Sequence, residues 1–253
     1  MCEANLSRRR LVASLATGGA GVALAGAAAA RSGAPQSGAQ FYDPTPIPVV
    51  DGKAALGPDA ALNLLRQGNA AFLEGRTPRL ALGADRRLEL AQGQAPFVAY
   101  VSCSDSRVPP ELLFGRGLGE LFIIRNAGNT VDTVAMGSIE FAVAVLGVPL
   151  VVVMGHEACG AVKAAMDVVE SNARFPGAIG DMIEPIIPAV LEARGAAGDK
   201  TEAAIKANVS RTVRRLRTAS DPIMLEPQRA GRVKVVGAYY SLSSGNVEFF
   251  DLP

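Results

Sequence analysis

The sequence predicts an α/β protein with a mixed sheet of parallel central strands and an antiparallel edge strand, flanked by helices. Residues 98–110 and 151–162 each begin as an apolar, β-rich run and then break into small and polar residues. That pattern is typical of buried parallel strands that carry functional groups at their carboxyl ends. Segments with helical periodicity alternate with these runs, and Ser-Ser-Gly-Asn between the last two predicted strands indicates a hairpin.

The first 30 residues have the pattern of an export signal. Residues 7–12 read Ser-Arg-Arg-Arg-Leu-Val, a twin-arginine pattern, and an Ala/Gly-rich, weakly apolar stretch follows up to small residues suited to cleavage. The stretch contains too little Leu and Ile for a transmembrane helix, so no stable membrane insertion is expected after cleavage. We therefore predict a periplasmic or otherwise exported protein that leaves the cytoplasm by the twin-arginine route.

Residues 31–58 are rich in Pro, Gly, Ala and Ser and show no periodicity, which predicts a linker or an extended N-terminal arm. Residues 59–253 then form the predicted catalytic domain. Its helices are expected at residues 59–74, 84–92, 109–114, 131–146, 159–170 and 201–219, with broken or kinked helix between 171 and 195, where three prolines fall. Its strands are expected at residues 97–102, 121–125, 150–154, 233–240 and 247–251.

Composition narrows the range of partners. The whole chain has a net charge of +1, and residues 1–30 carry three arginines and one glutamate, which leaves −1 for the remainder. There is no dense basic surface with interleaved aromatic residues, so nucleic acid is not an expected partner. The short basic run at residues 211–217 lies in a helical pattern and is interpreted as a solvated helix face.

The two strand ends carry residues suited to a metal. Cys103 ends the first run, and His156 and Cys159 end the second. Taken singly, a lone histidine is usually structural and a free cysteine is usually a small core residue. Together they form a set of two thiolates and one imidazole, which suits a catalytic zinc ion with one open position. Asp105 and Arg107 lie beside Cys103 and add a charged pair to the predicted site.

With Cys-Ser-Asp-Ser-Arg at 103–107, Arg-Asn-Ala-Gly-Asn at 125–129 and Gly-His-x-x-Cys-Gly at 155–160, the chain resembles the β-class carbonic anhydrases, in particular a bacterial, plant-like subgroup. The resemblance runs from about residue 62 to residue 250. It implies one zinc ion per subunit, held by Cys103, His156 and Cys159, with Asp105 and Arg107 as a catalytic pair. It implies a lyase that reversibly hydrates carbon dioxide to bicarbonate and a proton.

The resemblance also implies a substrate pocket. Gln94 matches a glutamine that binds substrate in that subgroup, Phe122 matches an apolar wall position, and Gly160 matches a small residue beside the last ligand. Phe141 stands where the subgroup often has tyrosine, so a hydroxyl contact is missing there. For both phenylalanines, plain core packing is an equally good interpretation. The family works as a dimer or a dimer of dimers with pockets lined from both subunits, and the N-terminal arm is expected to reach a neighbour.

Two other functions remain open at this stage. The same scaffold could hydrolyse carbon disulfide or carbonyl sulfide. Alternatively, the chain could be an exported, non-catalytic protein in which Cys103 and Cys159 form a disulfide, since export leads to an oxidising compartment.

Overall fold

The computed structural model of the chain describes residues 40–253. The signal peptide predicted at residues 1–30 and the first part of the predicted linker, residues 31–39, lie outside the described residues. Within the described part, no helix combines the length and the apolar character needed to cross a membrane.

The strands form one main sheet and two small pairs in this part of the chain. Their bounds are Phe41–Tyr42 (β1), Val49–Val50 (β2), Lys53–Ala54 (β3), Thr77–Pro78 (β4), Val98–Cys103 (β5), Leu121–Asn126 (β6), Leu150–His156 (β7), Lys234–Tyr240 (β8) and Val247–Asp251 (β9). The main sheet has the order β6-β5-β7-β8-β9. Its first four strands are parallel and β9 is antiparallel to β8 at one edge. The predicted fold class is confirmed.

Helices cover both faces of this sheet. Their bounds are Pro58–Leu73 (α1), Ala84–Leu90 (α2), Pro110–Phe114 (α3), Thr133–Ala144 (α4), Gly160–Ser171 (α5), Ala178–Ile183 (α6), Ile187–Ala193 (α7), Lys200–Arg217 (α8) and Pro222–Arg229 (α9). Short 3-10 helices occupy Ala127–Asn129 and Glu184–Ile186. The second of these contains Pro185 and lies between α6 and α7, so the helix predicted to be broken in this region is broken there.

The central strands are apolar along their whole length because both of their faces are covered. Every residue of β5 and β7 is buried. Side chains alternate along a strand, so Tyr100 and Val152 pack in one cluster with α1 and α3. Val101 and Val153 pack on the opposite face with residues of α4, α8 and α9. Because both faces of β5 and β7 are packed against helices, the carboxyl ends of these two strands are held in fixed positions.

Helix α8 is amphipathic, as predicted, and its first turn is capped by Asp199, whose carboxylate accepts the backbone N–H groups of residues 201 and 202. The basic run at its end is more than a solvated face. Arg211 pairs with Glu192, Arg215 donates to a backbone carbonyl, and Arg217 pairs with Asp251 on β9 at 2.8 Å. Arg214 and Arg215 are exposed, as predicted for a solvated face, whereas Arg211 and Arg217 are only partly exposed and form ion pairs.

Two parts of the chain differ from the sequence-based expectation. The described part of the predicted linker, residues 40–57, contains β1, β2 and β3, and Ile47 and Leu56 pack against the main core. These strands have two residues each, which is too short to produce a recognisable alternation. Helix α9 was not predicted, because it is short and contains Pro227.

Candidate metal centre

The three predicted ligands meet at the carboxyl edge of the sheet. Cys103 is the last residue of β5 and His156 is the last residue of the neighbouring β7. Cys159 stands immediately before the first residue of α5. Their Sγ and ring-nitrogen atoms all lie within 4.8 Å of one another, and all three residues are buried. The structure therefore brings together the Cys-His-Cys set that the sequence predicted.

The ring of His156 is oriented by the backbone. Its Nδ1 lies 2.9 Å from the carbonyl oxygen of Glu157, and a carbonyl only accepts hydrogen bonds, so Nδ1 carries the proton. Nε2 then presents a lone pair. It is buried without a hydrogen-bond partner among the described residues, an uncommon state for a polar atom. A metal ion bound at Nε2 would satisfy this atom, and the donor set fits one.

Cys103 and Cys159 are both free thiols. This contradicts the alternative in which they form a disulfide. The pKa of Cys103 is lowered to about 4, chiefly because Cys159 donates a hydrogen bond to its sulfur; the Gly128 N–H, 3.4 Å away, adds to the effect. The same contact and burial raise the pKa of Cys159. A cation bound at these sulfurs would favour the thiolate form of both residues.

Asp105 lies beside the Cys103–His156–Cys159 set, and Arg107 holds its carboxylate in place. Asp105 Oδ1 accepts the Arg107 backbone N–H at 3.0 Å and Nε–H at 2.9 Å, and Oδ2 accepts Nη2–H at 2.8 Å. Oδ2 also lies 3.9 Å from His156 Nε2. The side-chain hydrogen bonds from Arg107 hold the pKa of Asp105 well below its usual range. The carboxylate is thus charged, and its contacts with Arg107 hold it in an orientation in which Oδ2 lies near His156 Nε2.

The backbone on either side of Asp105 is held by Arg125, to which the sequence analysis gave no role. Its Nε–H donates to the Cys103 carbonyl at 2.9 Å and its Nη2–H donates to the Asp105 carbonyl at 2.6 Å. The guanidinium group therefore bridges the two residues of the Cys-Ser-Asp segment that face the site. Arg125 lies in a motif that the sequence analysis recognised. Its hydrogen-bond partners are backbone carbonyl groups, which every residue has, so the sequence could not indicate which of them Arg125 binds.

The loop after β7 is held by the β8–β9 hairpin. Glu157 Oε2 accepts the Ser241 and Ser243 hydroxyls at 2.9 and 3.0 Å and the Ser243 N–H at 3.0 Å. These contacts lower the pKa of Glu157, with the Ser243 backbone N–H as the largest cause. Ala158, between the two ligands of this loop, has a left-handed φ of 56°. The hairpin serines therefore help to fix the turn that carries His156 and Cys159.

The predicted substrate residues do not gather around the metal set of their own chain. Gln94 precedes β5, at the end of the strand opposite to Cys103. Phe122 pairs in register with Ala99, four residues before Cys103, or roughly 13 Å at the usual rise of a strand. The ring of Phe141 stacks on that of Phe122 at 6.1 Å.

Gly160 lies next to Cys159 at the start of α5, in open space. A Cβ added there would meet no described atom within 4 Å. Of the four predicted substrate residues, only Gly160 is therefore adjacent to the metal set within one chain.

Comparison with known proteins agrees with this geometry. Residues 98–247 match the family model described as carbonic anhydrase. The chain is 39% identical over 191 residues to a protein named carbonic anhydrase from Mycolicibacterium smegmatis, covering 76% of this chain and 92% of that one. It is 38% identical over 194 residues to one named carbonic anhydrase 2 from Mycobacterium tuberculosis, covering 77% and 93%.

Solved structures that resemble this chain are also those of β-carbonic anhydrases. A tetrameric β-carbonic anhydrase from Sordaria macrospora is 25% identical with a TM-score of 0.60, over 76% of this chain and 94% of that one. The β-carbonic anhydrase of Coccomyxa, solved with acetazolamide, is 25% identical with a TM-score of 0.56, over 76% and 82%. On its sequence, its sheet and its cysteine–histidine site, the chain belongs to the β-carbonic anhydrase family.

Proposed function

We propose that this protein catalyses the reversible hydration of carbon dioxide to bicarbonate and a proton with one zinc ion per subunit. The observation that carries the proposal is the buried Cys103–His156–Cys159 set, with a free imidazole nitrogen, beside a charged aspartate. Family membership supports the same reaction, because the relatives that are 39% and 38% identical to this chain over about three quarters of its length are named carbonic anhydrases.

The donor set favours zinc over the harder divalent cations. Two thiolates and one imidazole suit zinc, whereas magnesium and calcium prefer oxygen ligands. Three protein ligands leave a fourth position for water or substrate. When bound there, zinc acts as a Lewis acid and makes hydroxide available near neutral pH.

Asp105 has the position and charge to orient the attacking oxygen. Its carboxylate accepts hydrogen bonds only, and Oδ2 points toward the region that His156 Nε2 also faces. A hydroxide that donated a hydrogen bond to Asp105 would direct its lone pairs away from the carboxylate and toward the carbon of carbon dioxide. Arg107 keeps Asp105 ionised and stops it from turning freely.

A dry pocket for carbon dioxide requires a second subunit in this proposal. Gln94, Phe122 and Phe141 lie away from the metal set of their own chain, whereas the family resemblance puts their counterparts at the substrate. Phe141 is 47% exposed and Val134, on the same helix α4, is 77% exposed. We propose a homodimer, or a dimer of dimers, in which each chain completes the other's pocket. A monomeric mass by light scattering, with full activity retained, would contradict this arrangement.

The proton product needs an acceptor outside the metal set. His156 is the only histidine in the sequence and belongs to that set. We propose that the proton leaves through water to buffer or to a surface carboxylate, so turnover is expected to rise with buffer concentration.

Export by the twin-arginine route is a proposal that rests on residues 7–12 and on the weakly apolar, Ala/Gly-rich stretch that follows them. That route carries folded proteins, which suits a chain that binds its metal in the cytoplasm. Replacing Arg8 and Arg9 by Lys should hold the protein inside the cell. Unchanged export of the variant would refute the twin-arginine interpretation.

The decisive experiment is a carbon dioxide hydration assay on the purified chain together with zinc quantification. We expect about one zinc per subunit and hydration that is lost on chelation and restored by zinc. The same preparation should be offered carbon disulfide and carbonyl sulfide. Hydrolysis of these without carbon dioxide hydration would replace the proposed function by the sulfur-substrate alternative.

A further inference from the structure

Asn208 is a buried polar residue that the proposed reaction has not yet used. It lies in the middle of α8, is 3% exposed, and its Nδ2–H donates to the carbonyl of Gly128 at 2.9 Å. Eighty positions of sequence separate the two residues. An asparagine on the apolar face of an amphipathic helix is unfavourable unless its amide is paired. Here the pairing partner belongs to the loop that touches the metal set.

Gly128 links that contact to a ligand. Its own N–H donates to Cys103 Sγ at 3.4 Å, so its two backbone polar groups are engaged on opposite sides. Its φ of +74° is a left-handed value that favours glycine. A Cβ at this position would lie 2.6 Å from Ile186 Cδ1 and 3.1 Å from Ala161 Cβ. The loop is therefore closely packed, and Asn208 and Cys103 Sγ engage the two polar backbone groups of the same residue.

We propose that Asn208 is a positioning residue for the metal centre: by fixing Gly128, it holds the Gly128 N–H against Cys103 Sγ and so sets how strongly that thiolate donates to the metal. The inference rests on the proposed zinc site. An N–H···S hydrogen bond withdraws electron density from the sulfur, and groups that orient metal ligands typically change metal affinity or activity by roughly 10 to 100-fold.

The chain offers a matched control in Asn69. It is also a buried asparagine, 4% exposed, and its Nδ2–H donates to the Gly245 carbonyl at 3.0 Å while Oδ1 accepts the Val247 N–H at 2.9 Å. Its partners lie at the β8–β9 turn, at the start of β9 and, at 3.5 Å, at the Leu113 carbonyl of α3, and it forms no hydrogen bond to the metal set. Loss of its amide affects folding stability and the hairpin that supports the Glu157 loop, but leaves the Gly128 N–H in contact with Cys103 Sγ.

The experiment compares Asn208→Leu, Asn208→Ala and Asn69→Leu with the wild type. Leucine keeps approximately the volume of asparagine and removes the amide, and alanine leaves room for water if leucine prevents folding. Zinc affinity is measured by competition with a chromophoric chelator. The thiolate-to-metal charge-transfer band is measured on the cobalt(II)-substituted proteins, because that band reports the electron density at sulfur.

We expect both Asn208 variants to bind zinc about 10 to 100-fold more weakly, because the loop beside Cys103 is no longer held in place. We expect the cobalt charge-transfer band to shift to lower energy, because Cys103 Sγ loses its hydrogen bond. Asn69→Leu should lose thermal stability and leave the band unshifted, because the Gly128 N–H still reaches Cys103 Sγ. Wild-type affinity and an unshifted band in a folded Asn208 variant would overturn the inference, as would an equal band shift in Asn69→Leu. Absence of carbon dioxide hydration by the zinc-loaded wild type would instead overturn the proposed function while leaving the metal-site measurements valid.

Discussion

Replacing Asp105 by Asn tests whether a charged group must face the attacking oxygen. The amide preserves the size of the side chain, and its oxygen can still accept the Arg107 backbone N–H and Nε–H. Its NH₂ group, however, would point at Arg107 Nη2, now 2.8 Å from Oδ2, where two donors oppose each other. One charge-assisted hydrogen bond is lost, a contribution of about 1.5–3 kcal/mol.

The hydrogen bond that Asp105 would accept from the attacking oxygen loses the same charge assistance, and this second loss sets the expected change in rate. At about 1.36 kcal/mol per tenfold change, it corresponds to a decrease of roughly 10 to 150-fold in kcat/KM for carbon dioxide. Zinc content should stay near one per subunit, because Cys103, His156 and Cys159 remain in place. Stopped-flow hydration with a pH indicator measures the rate, and elemental analysis measures zinc. Asp59→Asn is the control, since Asp59 is an exposed partner of Lys234 far from the site.

One result would refute this reasoning. If Asp105→Asn lost its zinc while Arg107→Ala kept both zinc and full activity, Asp105 would be a fourth ligand and the fourth position would be closed. Asp105 would then have no role in orienting the attacking oxygen, and the proposed mechanism would fail.

Three further predictions concern the ligands, the packing and the pH dependence. His156→Ala should lose zinc and hydration activity together, measured on the same preparation, and a variant that retained both would place the site elsewhere. Gly68→Ala should destabilise the fold by about 1–3 kcal/mol in denaturant titration, because the new Cβ would lie 2.0 Å from a backbone oxygen of α3. Gly137→Ala, with no described atom within 4 Å of its Cβ, should be neutral or stabilising. Arg107→Ala should lower the unfolding free energy of the metal-free protein at pH 7, because Arg107 lowers the folded-state pKa of Asp105. This stabilisation is fully present above the unfolded pKa, about 4, and is lost as pH falls from there through the folded pKa, so the deficit of the variant should close over that range.

The sequence predicted the parts of this molecule that depend on local pattern. β5 and β7 are buried on both faces, so their residues form continuous apolar runs that stand out from the rest of the chain. Parallel strands end at one edge of a sheet, so Cys103 and His156 had to come close once both runs were recognised. Cys159 followed because it is three residues beyond His156 on the same loop.

The sequence did not predict contacts that depend on distant partners. Arg125 and Asn208 act on backbone carbonyl groups, and such acceptors exist at every position of a chain. The distance of Gln94 and Phe122 from Cys103 could not be predicted, for another reason. A family resemblance identifies them as substrate residues without stating which subunit they serve, and only the register of β5 with β6 shows how far they lie from Cys103.

The support of Glu157 by the β8–β9 hairpin has a consequence for how the metal centre is assembled in a growing chain. Ser241 is 84 residues beyond Glu157. At a synthesis rate of about 5–20 residues per second, roughly 4–17 s pass between the two reaching the ribosomal tunnel. The β7 strand also gains its β8 neighbour only in that interval. The ligand loop therefore takes its final shape only after residues 234–243 have been synthesised, and a metal ion would meet the complete loop only once β8 has joined the sheet.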